Sequence, residues 1–252
     1  MKTLTSVCSL TFFVSLFFTL TAPAQVSPEV EELFYQGYLT SSQTPWEQAL
    51  TKIEQNTSLT DDQRLTAVTE AQIGLLNYAM ANQDEDAFDE VADALEENLE
   101  KLLKQDKKNA LAQSRLAQLY SSTIAFSPYK AMYLGPKSEG LVDKALKYDP
   151  TCPNAWVQRG GAQLFTPAMF GGDKEEAVRS FQKAVQYFEE QGDTNRSWQY
   201  LNALAWLGQA HQQAGQTSDA VAVFQKALEV EPEFGWVKYQ LLPEATAQSA
   251  AQ

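Results

Sequence analysis

Residues 201–233 read LNALAWLGQAHQQAGQTSDAVAVFQKALEVEPE, and the spacing inside this stretch decides the fold. Leu204 and Leu207 recur at helical spacing before Gly215, and Phe224 and Leu228 do so after it. Small residues at Gly208, Ala220 and Ala227 let two antiparallel helices approach closely, while the larger side chains fill the space between them. Gly215 ends the first helix and Pro232 stops the second. The stretch is therefore a helix hairpin, and a hairpin of this kind buries its apolar face only by stacking on neighbours.

Upstream segments repeat the pattern. Trp156, Gly160, Ala177, Phe181 and Ala184 form one unit, and Leu116, Ala117, Tyr120, Val142, Ala145 and Pro150 form another. Both carry extra residues between their helices. Further toward the N-terminus, Leu33, Gly37, Ala49 and Ile53 repeat the spacing, as do Ile73, Gly74, Ala87, Val91 and Ala94. The pattern of Leu204, Leu207-Gly208, Ala220, Phe224, Ala227 and Pro232 resembles the tetratricopeptide repeat (TPR) consensus. That resemblance implies an all-α fold: a right-handed α-solenoid of about five antiparallel helix pairs plus a short C-terminal capping helix. The expected organisation is degenerate TPR-like hairpins over 25–108, then repeats over 109–242 with inserts at 126–137 and 165–174. A disordered tail is expected over 243–252, because that segment is small and polar.

Composition narrows the partners. The 252 residues hold 19 Lys plus Arg against 32 Asp plus Glu, a net charge of -13, with the basic residues scattered. Nucleic acid and anionic membrane are therefore poor partners. Residues 1–24 read as a signal peptide: Lys2, an apolar run from Val7 to Leu20, then Ala22-Pro23-Ala24. Cleavage is expected before Gln25, and the product would be periplasmic or secreted. The apolar run is shorter than the roughly 20 residues a membrane helix needs. Cleavage would remove Cys8 and leave Cys152, flanked by Pro150 and Pro153, as a small side chain in a turn.

The two inserts are related. Ser127-Pro128-Tyr129-Lys130-Ala131-Met132-Tyr133-Leu134-Gly135-Pro136-Lys137 and Thr166-Pro167-Ala168-Met169-Phe170-Gly171-Gly172-Asp173-Lys174 share a hydroxyl-Pro start, Ala-Met, an aromatic, Gly and Lys. They occupy the same loop of adjacent repeats and are expected side by side. Together with Phe234-Gly235-Trp236-Val237-Lys238, they resemble an exported bacterial type of TPR protein. Tyr129, Met132, Tyr133, Met169 and Phe170 either fold back on a helix junction or form a binding lip.

The TPR resemblance also implies a concave groove lined by fixed positions of each first helix. Those positions fall on Glu31, Phe34 and Tyr38, on Tyr78, on Gln118, on Leu164 and Phe165, and on Asn202, Gln209, Gln212 and Gln213. Only Glu31 is charged, which argues against the Lys and Asn clamp of chaperone-binding TPRs. Amide and aromatic groups suit an extended peptide or an apolar ligand, unless the inserts or the N-terminal helices fill the groove.

Catalytic and metal chemistry find little support. His211 is the only histidine, no acid, base or nucleophile motif surrounds it, and it occupies a position that faces the helix partner. The acidic run from Asp84 to Glu100 surrounds an apolar stripe of Phe88, Val91, Leu95 and Leu99, as a solvated helix face does. Asn56-Thr57-Ser58 and Asn195-Arg196-Ser197 match glycosylation acceptors, a spacing common by chance. The leading expectation is a non-catalytic exported scaffold without cofactor or metal, binding a protein or peptide through its groove and inter-helix loops. Its partner-binding residues would be Tyr129, Met132, Tyr133, Met169, Phe170, Tyr38, Tyr78, Gln118, Phe165 and Gln209. The alternative is a carrier of an apolar small molecule or lipid.

Overall fold

Helix starts follow the capping residues of the sequence. In the computed structural model, which describes residues 26–250, side chains of Ser27, Thr60, Asp84, Asn109, Asp173 and Ser197 each accept a first-turn backbone N–H. Thr60 and Gln63 complete a reciprocal capping box. The helices are α1 (Pro28–Leu39), α2 (Gln43–Gln55), α3 (Asp61–Asn82), α4 (Glu85–Gln105), α5 (Ala110–Phe126), α6 (Ala131–Tyr148), α7 (Pro153–Phe165), α8 (Lys174–Glu190), α9 (Trp198–Gln213), α10 (Thr217–Val230) and α11 (Leu242–Ala250). They pair as five hairpins, α1/α2 to α9/α10, and no strand occurs among the described residues. The predicted signal peptide and its cleavage point lie outside the described residues.

Glycine sets the depth of these hairpins. A Cβ at Gly208 would stand 2.2 Å from the ring of Phe224, and one at Gly160 would stand 2.8 Å from Phe181. The aromatic ring of the second helix thus rests directly on the backbone of the first. Gly208→Ala is expected to cost about 1–3 kcal/mol through overpacking, although alanine favours a helix over glycine by roughly 1 kcal/mol. Urea unfolding measures it, and a stabilised variant would refute the packing argument.

The first helices of the pairs form an inner ring. α1 packs on α3, α3 on α5, α5 on α7, α7 on α9, and α9 returns to α1. Trp46 of α2 locks the start of this ring. Cβ atoms at Gly37 and Gly74 would lie 2.4 and 2.2 Å from its ring, which also stacks on Phe34 and meets Trp198 edge-on.

Two expectations need correction. The insert at 126–137 is not a loop throughout: a 3-10 turn at Pro128–Lys130 leads into α6, which takes in Ala131 to Lys137, with Pro136 inside the helix. Ala, Met and Leu in that stretch favour helix, and buried Leu134 ties it to the core. The expected disordered tail is also helical as far as it is described, because α11 runs from Leu242 to Ala250. Its Ala- and Gln-rich sequence is a good helix former, and fully buried Ala245 lies where α11 packs on α10. The expected closing helix is present and includes a π turn at Val237–Leu241.

Candidate functional site

The inner ring decides which part of the groove is open. Tyr38 donates to Asn202 Oδ1 at 3.2 Å and packs on Trp198 and Phe234, while Tyr35 donates to Glu231 at 2.9 Å. Arg196, held in the left-handed backbone region at φ 52°, forks onto Glu32 and lies over the Tyr35 ring. A non-glycine residue persists in that region only when its surroundings hold it there. These contacts seat α1 against α9, so the N-terminal hairpin fills that end of the groove. Tyr38 is therefore part of the closure.

Electrostatics follow the same seam. The Arg196 guanidinium holds the Glu32 carboxyl below its ordinary range. Burial raises Asp193, and burial with the nearby Asp193 charge raises Glu31. Burial also pushes the Tyr38 hydroxyl up. Deeper in, Arg115 makes a bidentate pair with Glu70 at 2.8 and 2.6 Å and lies over Trp198, and Gln199 donates to the same carboxylate at 3.1 Å. Gln118 is occupied by this network, accepting from Arg115 and donating to Asn77.

Beyond the closure a file of aromatic rings continues outward. Tyr38 meets Phe234 at 5.6 Å, Phe234 meets Trp236 at 6.3 Å, Trp236 meets Trp206 at 5.8 Å, and Trp206 meets Phe165 at 5.4 Å. Trp206 donates to Asn202 Oδ1, the acceptor that Tyr38 also uses. The file ends in solvent, with Phe165 61% exposed. Gln209, on the same helix as Trp206, has a buried Nε2 without a hydrogen-bond partner. An aromatic surface with one exposed end suits a polypeptide segment that brings an apolar side chain.

The inserts do not fold back. Tyr129, Met132, Met169 and Phe170 are 76, 87, 83 and 72% exposed, and Tyr133 is 51% exposed. Each insert follows the C-terminus of an inner-ring helix, α5 or α7, and those two helices pack together, so both open on one edge. Lys174 anchors the second insert by donating to the Leu164 carbonyl and to Gln213. Tyr78 is half-buried, its carbonyl accepting from Asn82.

Sequence reasoning missed Trp198, Trp206 and Trp236 as groove residues. Their signal was the crowding of three of the five tryptophans into the last part of the chain. It placed His211 and Cys152 well. His211 is 5% exposed with Nδ1 2.6 Å from Gln216, and Cys152 is buried at the start of α7 with its thiol pushed up by burial. Two clefts lie away from the groove, one of about 480 Å³ between α8 and α10, the other of about 300 Å³ between α4 and the first insert.

Comparison with known proteins agrees with the helical-hairpin fold. The tetratricopeptide repeat family matches residues 201–234. No curated protein is a significant match to the sequence. Among solved structures, the HusA haemophore from Porphyromonas gingivalis is similar with a TM-score of 0.60 at 17% identity, over 75% of this chain and 94% of that one. A thermophilic TPR protein from Thermus thermophilus is similar with a TM-score of 0.54 at 18% identity, over 88% of this chain and 95% of that one. At these identities the likeness concerns the fold alone. The chain thus carries a matched tetratricopeptide repeat at residues 201–234 and shares its helical-hairpin fold with solved structures along most of its length.

Proposed function

We propose that the protein is an exported, non-catalytic scaffold that binds a polypeptide partner at the open mouth of its groove. The observation that carries this reading is the ring file Trp236–Trp206–Phe165, which runs from the packed interior to a 61% exposed end. Buried rings fix the position of the exposed ones, so the surface is organised before a partner arrives, which lowers the entropy lost on binding. The inter-helix loops border this surface on the edge where α5 and α7 end. Export rests on the leader at residues 1–24, and the partner is then an envelope or extracellular protein.

A small-molecule carrier would need an enclosed apolar site, whereas the two clefts lie outside the groove and are lined largely by charged and polar side chains. That HusA is a haemophore therefore does not extend to this chain.

The test places a photo-crosslinking residue at Tyr239, which is 74% exposed and close in sequence to Trp236. A discrete adduct from envelope extract is expected, with at least a tenfold loss in Phe165→Ser. Because Phe165 is exposed, the variant should keep the parent melting temperature. An adduct of unchanged intensity in Phe165→Ser, or none in the parent, would sink the reading.

A further inference from the structure

We propose that Met132 and Met169 are a matched pair of reversible oxidation sites, at which a peroxide turns the insert edge from apolar to polar while the fold stands. The two thioethers belong to the same Ala-Met-aromatic step of the two inserts. They are 87 and 83% exposed, more than any other large apolar side chain of the described residues. Met132 stands in the first turn of α6, and Met169 stands inside the 3-10 turn Ala168–Phe170. Both lie on one edge, because the inserts follow the C-termini of packed neighbours α5 and α7.

The other sulfurs of the described residues are protected. Cys152 is buried, and burial pushes its thiol up, away from the thiolate form that peroxides attack. Met80 is half-buried near the end of α3 and packs on the core. Susceptibility to oxidation rises with exposure, so the two tips react first. A sulfur lone pair attacks one peroxide oxygen, the O–O bond breaks, the proton on the attacked oxygen passes to the departing one, and sulfoxide and water result. The peroxide supplies the oxygen and takes up the two electrons, and the protein supplies only access. At these exposures neither side chain packs on the core, so a polar oxygen there leaves it undisturbed, whereas the same oxygen on Met80 would enter packed apolar surroundings. Exposure also makes the change reversible, because a methionine sulfoxide reductase must take the side chain into its own active site. Two thiols become a disulfide in that step, and thioether and water are returned. Neither the polypeptide at the groove nor any partner at the inserts is needed for this chemistry.

The full chain would be treated with hydrogen peroxide and each added oxygen assigned over time by peptide mass spectrometry. Met132 and Met169 are each expected to gain one oxygen at least about tenfold faster than Met80, and in urea the rates should converge. The doubly oxidised protein should keep the parent melting temperature. Methionine sulfoxide reductases A and B, one for each sulfoxide epimer, should remove both oxygens from the folded chain with dithiothreitol as reductant. Oxidation of Met80 as fast as that of the tips, a lowered melting temperature on double oxidation, or oxygens removed only after unfolding would overturn the proposal. None of these results bears on the Tyr239 crosslink.

Discussion

Trp46→Ala is expected to remove about 3–5 kcal/mol of folding stability, the largest loss for any single apolar truncation in this chain. Trp46 is 2% exposed and touches the elements that start and close the inner ring. Its ring fills the room left by Gly37 of α1 and Gly74 of α3, stacks on Phe34 at 5.4 Å and meets Trp198 of α9 at 5.7 Å. Truncation opens a cavity that the backbone cannot collapse into, because the seam between α1 and α9 is pinned by Tyr35, Tyr38 and Arg196. Total stabilities of domains are about 5–15 kcal/mol, so the variant should melt roughly 6–20 °C lower at this chain size. Amide exchange should rise first in α1 and α2 and last in the 201–233 hairpin. A loss below about 1 kcal/mol would show that Trp46 does not lock the ring.

Arg115→Ala should cost a similar amount by a different route. The Arg115 side chain is 4% exposed and its partner Glu70 12% exposed, so truncation leaves a buried carboxylate with Gln199 as its remaining donor. Breaking a buried pair from one side typically costs about 3–5 kcal/mol. Replacing both partners, as in Glu70→Gln/Arg115→Met, should cost far less, since no buried charge is then unpaired. The two single variants and the double variant form a cycle whose coupling energy is expected to exceed about 1 kcal/mol. Additive losses would mean that the pair does not act as a unit.

These two predictions also mark where the sequence stops speaking. Gly208 with Phe224, Gly160 with Phe181, and Pro232 are local signals, because each reports a packing demand between residues of one hairpin. Five hairpins could therefore be read directly. Ring closure could not. Glu70 with Gln199, Tyr38 with Asn202 and Tyr35 with Glu231 join residues more than a hundred positions apart, and no periodicity encodes which distant surfaces meet. For that reason Tyr38 reads from sequence as an open groove residue, while the structure packs it into the closure. Gln118 reads the same way and is bound to Arg115. Phe165 and Gln209 take their groove positions from the repeat register alone, and of the two Phe165 stands exposed.

The insert residues were half legible. Their kinship in sequence placed them on one edge, but exposure depends on whether a neighbouring surface accepts them, and none does for Met132 or Met169. The helical start of α6 was hidden by Gly135 and Pro136, which signal a loop in isolation. In the folded chain Leu134 and Ser138 on either side are buried against the core, and that packing overrides the local preference.

Closure of the inner ring has a consequence for how such a chain can change. An open solenoid gains or loses a repeat at little cost, since each unit answers only to its neighbours. Here α9 answers to α1 as well, so a sixth hairpin would separate Arg196 from Glu32 and Asn202 from Tyr38, and deleting one would force them past each other. Copy number is thereby fixed, and variation is left to the edge, where the lengths of the two inserts can drift without disturbing the circle beneath them.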